Sequence, residues 1–357
     1  MNKSFFLKNN NSRCNIIIKS NYIQNYLNKL IRKKRKIFCI VDINVKYLVK
    51  EILELDNCTI IFIKANENIK NIKVYNKICE KLLIKKIDRN SIIVAIGGGT
   101  IGDLVGFVAS TLLRGIEFIL IPTTLLAQVD SSIGGKNGIN TPFGKNLIGT
   151  FKQPNEVVID TDVLRTLSKR EMKSGYAEII KHALIKDFKF FKWLDKNYKK
   201  IFNLNNKILR EAVSKSIEIK LWYVKRDSKE ELISDNSRAM LNFGHTIGHA
   251  LETNYKYSNK LNHGEAISIG MITEAKISQK FGYLNNKNLE LILGHFKRTN
   301  LKIFDPQIKN KKTIDILLND KKNSNNQINI VLLRRVGSSF FKRNIDIKKI
   351  TDIINKI

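Results

Sequence analysis

The sequence predicts a parallel-sheet α/β domain followed by a mainly α-helical one, and three observations predict this pair. Glycine is the first: of 19 glycines, none precedes Gly97 and 11 fall between Gly97 and Gly149. The second is the alternation of short apolar strand-like runs with helical stretches across residues 15–96. The third is a change of texture near Asp160, after which glycine thins out and long helical patterns take over. A length of 357 residues fits two domains, drawn here as 1–160 and 161–357.

In chain order, Ile37 to Val41 and Thr59 to Ile63 read as strands, and Asn44 to Leu55 and Ile72 to Lys86 as helices. Ser91 to Ile96 is apolar and β-branched throughout, too continuous for a strand with one solvated face. The resulting β-α-β-α-β series implies parallel strands with helices on the sheet faces. Asp42 and Asn44 follow the first strand, and Glu67 and Lys70 the second, at the carboxyl ends where α/β ligands gather.

Gly97-Gly98-Gly99-Thr100 then turns the chain into a helical rhythm from Ile101 to Leu112. A strand, a glycine turn and a helix start form a phosphate cradle, with amide N–H groups and the helix dipole aimed at an anion. The spacing is not the G-x-G-x-x-G dinucleotide fingerprint. Phe118 to Ile121 is a further strand ending at Thr123-Thr124, hydroxyls that suit a ribose or phosphate and equally suit a helix cap. Lys136 and Lys145 are flanked by glycine and read as cations on glycine-rich loops, with Asp130 just before them and Arg114 after the first helix.

Beyond Asp160, helical patterns run over Lys169–Asp187, Asn205–Arg226, Arg238–Tyr255, Glu265–Phe281 and Asn286–Lys297, with a polar loop from Lys321 before a strand at Ile328–Leu333. All 5 histidines lie in this half. Glu178 and Lys181 are one turn apart on a helix face, His245 and His249 share a face at i, i+4, and His263 opens another helix. Glutamate and histidine suit Zn²⁺, and three protein ligands leave a position open for catalysis. Spacing alone puts both His245 and His249 on the ion. His295 has no companion motif and reads as a satisfied polar side chain, and His182 stays outside the metal set.

The formal net charge is +31. Such a balance admits nucleic acid as a partner. The cations are nevertheless spread along the chain, with no basic helix, ribbon or aromatic platform, so compositional drift is the reading and no nucleic-acid partner is expected. Cys14, Cys39, Cys58 and Cys79 lack C-x-x-C spacing and read as buried thiols of a reducing cytosol. The apolar run Phe5-Phe6-Leu7 is too short for a secretory segment, and no stretch approaches the ~18 apolar residues of a membrane helix. No membrane partner and a cytoplasmic location are expected.

The blocks GGGTIGDLVGF, RGI, IPTTLLAQVDSSIGGKNGIN, GKNLIGTF, SGYAEIIKHALI, RAMLNFGHTIGHALE, NHGEAISIGM and DKK together resemble the 3-dehydroquinate synthase family of sugar phosphate cyclases, densely from about Ile93 to Met271. The resemblance implies a Rossmann-like N-terminal domain, a mainly α-helical metal-binding C-terminal domain, and an active site in the cleft between them. It implies conversion of 3-deoxy-D-arabino-heptulosonate 7-phosphate to 3-dehydroquinate and phosphate. The route is transient NAD-dependent oxidation, phosphate elimination, reduction and intramolecular aldol closure. A related sugar phosphate cyclase or a metal-dependent polyol dehydrogenase of the same fold is the alternative; a dehydrogenase would release NADH.

For NAD the resemblance implies Asp42, Glu67, Lys70, Gly98, Gly99, Asp103, Thr123, Thr124, Asp130, Lys136, Lys145 and Thr166. For a divalent metal, Zn²⁺ first and Co²⁺ as alternative, it implies Glu178, His245 and His263, with His249 on the substrate; spacing keeps His249 as a rival ligand. Lys136, Lys181, Lys220, Arg238, Asn242, Arg114, Asn146 and one of Lys321 or Lys322 would serve the phosphorylated sugar acid, in a homodimer. Two departures stand out. Asn66 replaces a glycine in the G-E-x-x-K segment, which leaves a solvated loop as the alternative there. The stretch between Lys220 and Arg238 is about four residues longer than the family spacing, with Ser228 in place of glutamate, which leaves the roles of Asp227 and Glu230 open.

Overall fold

A strand covered on both faces can be apolar at every position, and the first half of the chain is built on strands of that kind. The structure is a computed structural model that describes residues 3–9, 12–53, 55–232, 234–318 and 327–356. The chain divides into two units, residues 1–168 and 169–357.

In the first unit the strands are β1 (Lys3–Asn9), β2 (Ser12–Lys19), β3 (Ile37–Asp42), β4 (Cys58–Ile63), β5 (Ile92–Gly97), β6 (Glu117–Pro122), β7 (Lys136–Thr141), β8 (Gly144–Phe151) and β9 (Glu156–Asp160). Seven of them form one sheet in the order β1-β2-β9-β6-β5-β3-β4. β1 runs antiparallel to β2, and the other neighbours are parallel. β5, fully buried, lies inside the sheet, as its unbroken apolar run requires. The helices of this unit are α1 (Ile23–Ile31), α2 (Ile72–Ile84) and α3 (Gly99–Thr111). Buried Asp160, closing β9, accepts the Tyr22 amide at 2.7 Å and so ties the start of α1 to that strand.

Two local expectations change in this unit. The helix expected from Asn44 to Leu55 is a 3₁₀ segment, Ile43–Ile52, interrupted at Val45 and opened by Asp42, whose carboxylate accepts the Asn44 amide. Lys136 and Lys145 sit on the strands of the β7–β8 hairpin, not on loops. Gly138 and Gly149 face each other there, and a Cβ on Gly149 would lie 2.4 Å from the Asn137 carbonyl oxygen. The glycines thus serve close strand approach.

The second unit holds α4 (Lys169–Lys186), α5 (Phe188–Phe202), α6 (Asn206–Arg226), α7 (His245–Asn254), α8 (His263–Lys280), α9 (Asn286–Arg298), α10 (Lys311–Leu318), the antiparallel pair β10 (Gln327–Arg335) and β11 (Ser338–Asp346), and α11 (Ile347–Lys356). α4 is buried along most of its length. The single helix expected over Arg238–Tyr255 is split into a 3₁₀ turn, Arg238–Asn242, and α7. Gly244 breaks it at φ 82°, a left-handed conformation that costs glycine little. The break lets α7 lie against α8 so closely that a Cβ on Gly270 would stand 1.9 Å from the Gly244 carbonyl oxygen. Ile247, Leu251, Ile269, Leu332 and Ile350 form the core beneath. Lys321 and Lys322 lie outside the described residues. No helix among the described residues is long and apolar enough to cross a membrane.

His295 is satisfied inside this unit, with Nδ1 2.8 Å from Asp195 and Nε2 3.0 Å from the Tyr176 hydroxyl. Burial pushes its imidazole below the usual 6.5, against the pull of Asp195. The folded chain therefore keeps His295 neutral while the unfolded chain takes up a proton below 6.5. Stability is complete above that pH and declines as pH falls through it. His295→Gln is expected to flatten the pH dependence of urea stability below pH 6.5; an unaltered slope would contradict this.

Candidate active site

In the first unit, β5 runs into Gly97 and α3 starts at Gly99 with Gly98 as its N-cap. No side chain caps this helix, so its first amides point outward at the positive end of the dipole. A Cβ on Gly98 would come 3.0 Å from Thr124 Cγ2, and one on Gly99 2.8 Å from Ser131 Oγ. Side chains here would fill the concavity lined by Gly97, Gly98, Gly99, Gly102, Ser131 and Ser132. The cradle fits a phosphate group approached by backbone. Thr124 faces it and also caps the next turn, accepting the Ala127 amide at 3.2 Å. Thr123 is buried, its amide on the Gly97 carbonyl.

Beside the cradle, groups far apart in sequence meet. Lys70 is 3% exposed, and its Nζ donates to Asp103 Oδ2 and to Asn146 Oδ1, each at 2.7 Å. Glu67 accepts from Asn140 Nδ2 at 2.9 Å and from Thr100 at 3.3 Å, with Lys145 Nζ at 3.8 Å. The Lys70 carbonyl accepts the Asn140 amide at 2.7 Å. Burial raises the Asp103 carboxyl pKa, with Lys70 opposing. The segment is thus tied to α3 and to the β7–β8 hairpin rather than left as a solvated loop. Asn140 is a member that the sequence reading missed.

Asp130 lies on a short π-helical turn, Ala127–Ser131, and exposed Lys136 at the start of β7. Thr166 bonds the Val163 carbonyl at 3.1 Å. Arg114 sits past the far end of α3, about 20 Å from the glycine turn by helix rise, exposed and at φ 67°.

In the second unit, α4 carries Glu178, α7 carries His245 and α8 opens with His263. One ligand atom from each lies within 4.8 Å of the others. His263 Nε2 is 3.7 Å and His245 Nε2 3.9 Å from Glu178 Oε1. Bonds of about 2 Å from one ion would bridge these gaps with small side-chain movement. His245 Nδ1 stands 3.3 Å from the Phe243 carbonyl, which turns Nε2 toward Glu178. Glu178 is fully buried and paired with Lys181, itself 1% exposed.

His263 Nδ1 lies 3.2 Å from Glu252 Oε2, a buried carboxylate absent from the sequence-derived set. Burial would lower the His263 pKa, but Glu252 and Glu178 outweigh it and raise it to about 10. An environment that retains a proton so firmly also favours a bound cation, which would displace that proton. A nitrogen and carboxylate donor set of this kind fits Zn²⁺ or Co²⁺. The triad His249, Glu252 and His263 also converges, so geometry too keeps His249 in view. His249 is exposed, with its ring 5.0 Å from that of His245. Glu274, also missed, accepts the Gly244 amide at 2.5 Å and holds the start of α7. His182 pairs with Ser216 at 2.6 Å.

Lys220 is buried on α6. The longer loop after it folds back: buried Asp227 accepts the Arg238 amide at 3.1 Å, and the Arg238 guanidinium reaches the Ser228 carbonyl at 2.9 Å. Glu230 accepts from Asn242 Nδ2 at 2.9 Å. Asp227 and Glu230 therefore brace the two residues expected to bind substrate.

Family models described as 3-dehydroquinate synthase N-terminal and C-terminal match residues 60–174 and 175–323. A 3-dehydroquinate synthase from Pelagibacter ubique is 44% identical over 362 residues, covering 98% of this chain and 97% of that protein. The solved structure of 2-epi-5-epi-valiolone synthase from Streptomyces hygroscopicus, with NAD⁺ and Zn²⁺ bound, superposes with a TM-score of 0.86 at 23% identity, covering 98% and 97% of the two chains. A 2-deoxy-scyllo-inosose synthase complexed with carbaglucose-6-phosphate, NAD⁺ and Co²⁺ gives a TM-score of 0.84 at 22% identity, over 99% and 100%. These two share the fold.

If Glu252 orients His263, Glu252→Gln should weaken Zn²⁺ binding about 10–100-fold without unfolding the chain. Competition with a chromogenic chelator reads this directly, and wild-type affinity would remove Glu252 from the site.

Proposed function

This chain belongs to the 3-dehydroquinate synthase family, and from that premise we infer that it converts 3-deoxy-D-arabino-heptulosonate 7-phosphate to 3-dehydroquinate and phosphate. We propose that it does so as a carbon–oxygen lyase dependent on NAD and a divalent metal, Zn²⁺ first. The observation that carries this reading is the convergence of Glu178, His245 and His263 within 4.8 Å, from three different helices. The uncapped glycine turn of the first unit supports the cofactor half of it.

When bound, NAD supplies reversible hydride removal at the substrate's C5 and the ion supplies Lewis-acid polarisation of its oxygens. The rest falls to the chain. Gly98 and Gly99 leave backbone amides for the dinucleotide phosphates, with Thr123, Thr124, Asp130 and Thr166 nearby in the proposed set and Asp42 on the adenosine ribose. Glu67, Lys70, Asp103 and Lys145, proposed for NAD together with Lys136, also tie the β7–β8 hairpin to α3; Asn146, bonded to Lys70, and Lys136 are proposed for substrate. In the second unit Glu178, His245 and His263 would hold the ion, with Glu252 orienting His263. Lys181 and Lys220, both buried, are matched to an anionic substrate, and Arg238 and Asn242 are held for it by Asp227 and Glu230. His249, exposed beside the ligands, donates a hydrogen bond to substrate or phosphate. Arg114, exposed past the far end of α3, remains a proposed substrate contact.

Phosphate leaves with little need for acid–base machinery once its oxygens are oriented by cations. The proposal includes a reducing, cytoplasmic setting, in keeping with four cysteines that lack C-x-x-C spacing. The proposal includes a homodimer; Phe143, Ile148 and Phe151, exposed on the hairpin, offer apolar surface for a second copy.

Turnover tests the reading. With NAD⁺ and Zn²⁺ present, one phosphate is expected per substrate consumed, with no net NADH. Deuterium at C5 is expected to stay in the product. Stoichiometric NADH, or label lost to the cofactor pool, would indicate a dehydrogenase instead.

A further inference from the structure

Two of the proposed ligands stand on α4 and α8, and these helices are fastened to each other at three successive levels. Arg170, Ser174 and Glu178 are spaced i, i+4, i+8 and so lie along one face of α4. Against them stands the first turn of α8, His263-Gly264-Glu265. At the first level Arg170 Nε donates to Glu265 Oε1 at 2.7 Å and Nη2 to Oε2 at 2.6 Å. The same guanidinium reaches the Asn259 carbonyl at 2.7 Å and the Lys260 carbonyl at 3.2 Å. At the second level the Gly264 amide donates to Ser174 Oγ at 3.0 Å, and a Cβ on Gly264 would lie 2.2 Å from Ser174 Cα. The third level is His263 facing Glu178.

Glu265 also belongs to a capping box. Its carboxylate accepts the Asn262 amide at 3.0 Å while Asn262 Oδ1 accepts the Glu265 amide at 2.9 Å. One guanidinium therefore holds the turn before α8, the cap and the first helical residues as a single piece.

We propose that Arg170 is a positioning residue for the metal centre: by gripping Glu265 and the Asn259 and Lys260 carbonyls it sets where His263 meets Glu178. This rests on the ligand assignment proposed above. The pair is too exposed to add much stability, with side chains 45% and 23% accessible. Its value lies in direction, since a planar guanidinium fixes several acceptors at once and an ammonium does not. A role in geometry without a large role in stability makes the two separable by experiment.

The full chain is loaded with Zn²⁺ or Co²⁺ in the wild type, Arg170→Ala, Arg170→Lys and Glu265→Gln. Glu265→Gln keeps a capping-box side chain and removes the ionic grip, so the test survives a poorly folding Arg170→Ala. Ion transfer to a chromogenic chelator should be about 10–100-fold faster in all three variants. The Co²⁺ absorption spectrum should change, and the melting temperature of the ion-free protein should shift little. Wild-type transfer rates and spectra would overturn the proposal, as would lower ion-free stability with rates and spectrum unchanged. Glu178→Gln and His263→Ala are run alongside. If both retain a full equivalent of ion, the ligand assignment fails and takes the role of Arg170 with it. If they lose the ion while the Arg170 variants behave as wild type, only the positioning role fails.

Discussion

A carboxylate withdrawn from water must be matched by positive charge, and fully buried Glu178 imposes that demand on the second unit. Lys181 meets part of it from the same helix. His245 and His263 face the other oxygen, and His263 is held between Glu178 and Glu252. To bring both imidazoles there, α7 must begin abruptly and lie close to α8. Gly244 provides the break, Gly270 permits the approach, and Glu274 satisfies the amides that the break exposes. The packing of glycine against glycine in this region thus lets Glu178, His245 and His263 converge.

The first unit solves a different problem with the same residue. Its glycines at the end of β5 leave helix amides uncovered by any side chain, while those on β7 and β8 let two strands approach without Cβ atoms between them. Lys70 joins the two features. Buried, it holds Asp103 on α3 and Asn146 on β8 with one ammonium group. Residues proposed for cofactor and for substrate are therefore mechanically coupled within this unit, so a change at Lys70 would be felt at both.

Much of this was legible in the sequence where it depends on local spacing. The unbroken apolar run before Gly97 named an interior strand, while the i, i+4 spacing of His245 and His249 pointed to that pair and the family resemblance to Glu178, His245 and His263, which converge here. What escaped was carried by distance along the chain. Glu252 and Glu274 look like polar-face residues of amphipathic helices, and only packing reveals them as buried carboxylates aimed at His263 and at the start of α7. The hairpin was hidden by its own glycines, which read as loop. Asn66 suggested a loosened loop because one glycine was missing, yet the bonds of Glu67 and Lys70 to residues 100–146 hold it in place. Arg170 and Glu265 are 95 positions apart, beyond the reach of any periodicity.

The central claim is that one ion is held by one carboxylate and two imidazoles, with Glu178 rather than His249 completing the set. X-ray absorption at the zinc edge, on the full chain loaded with one equivalent of Zn²⁺, counts these ligands without reference to turnover. The account predicts the multiple-scattering signature of two imidazoles, with the remaining near neighbours oxygen. A three-imidazole signature would place His249 on the ion and contradict it.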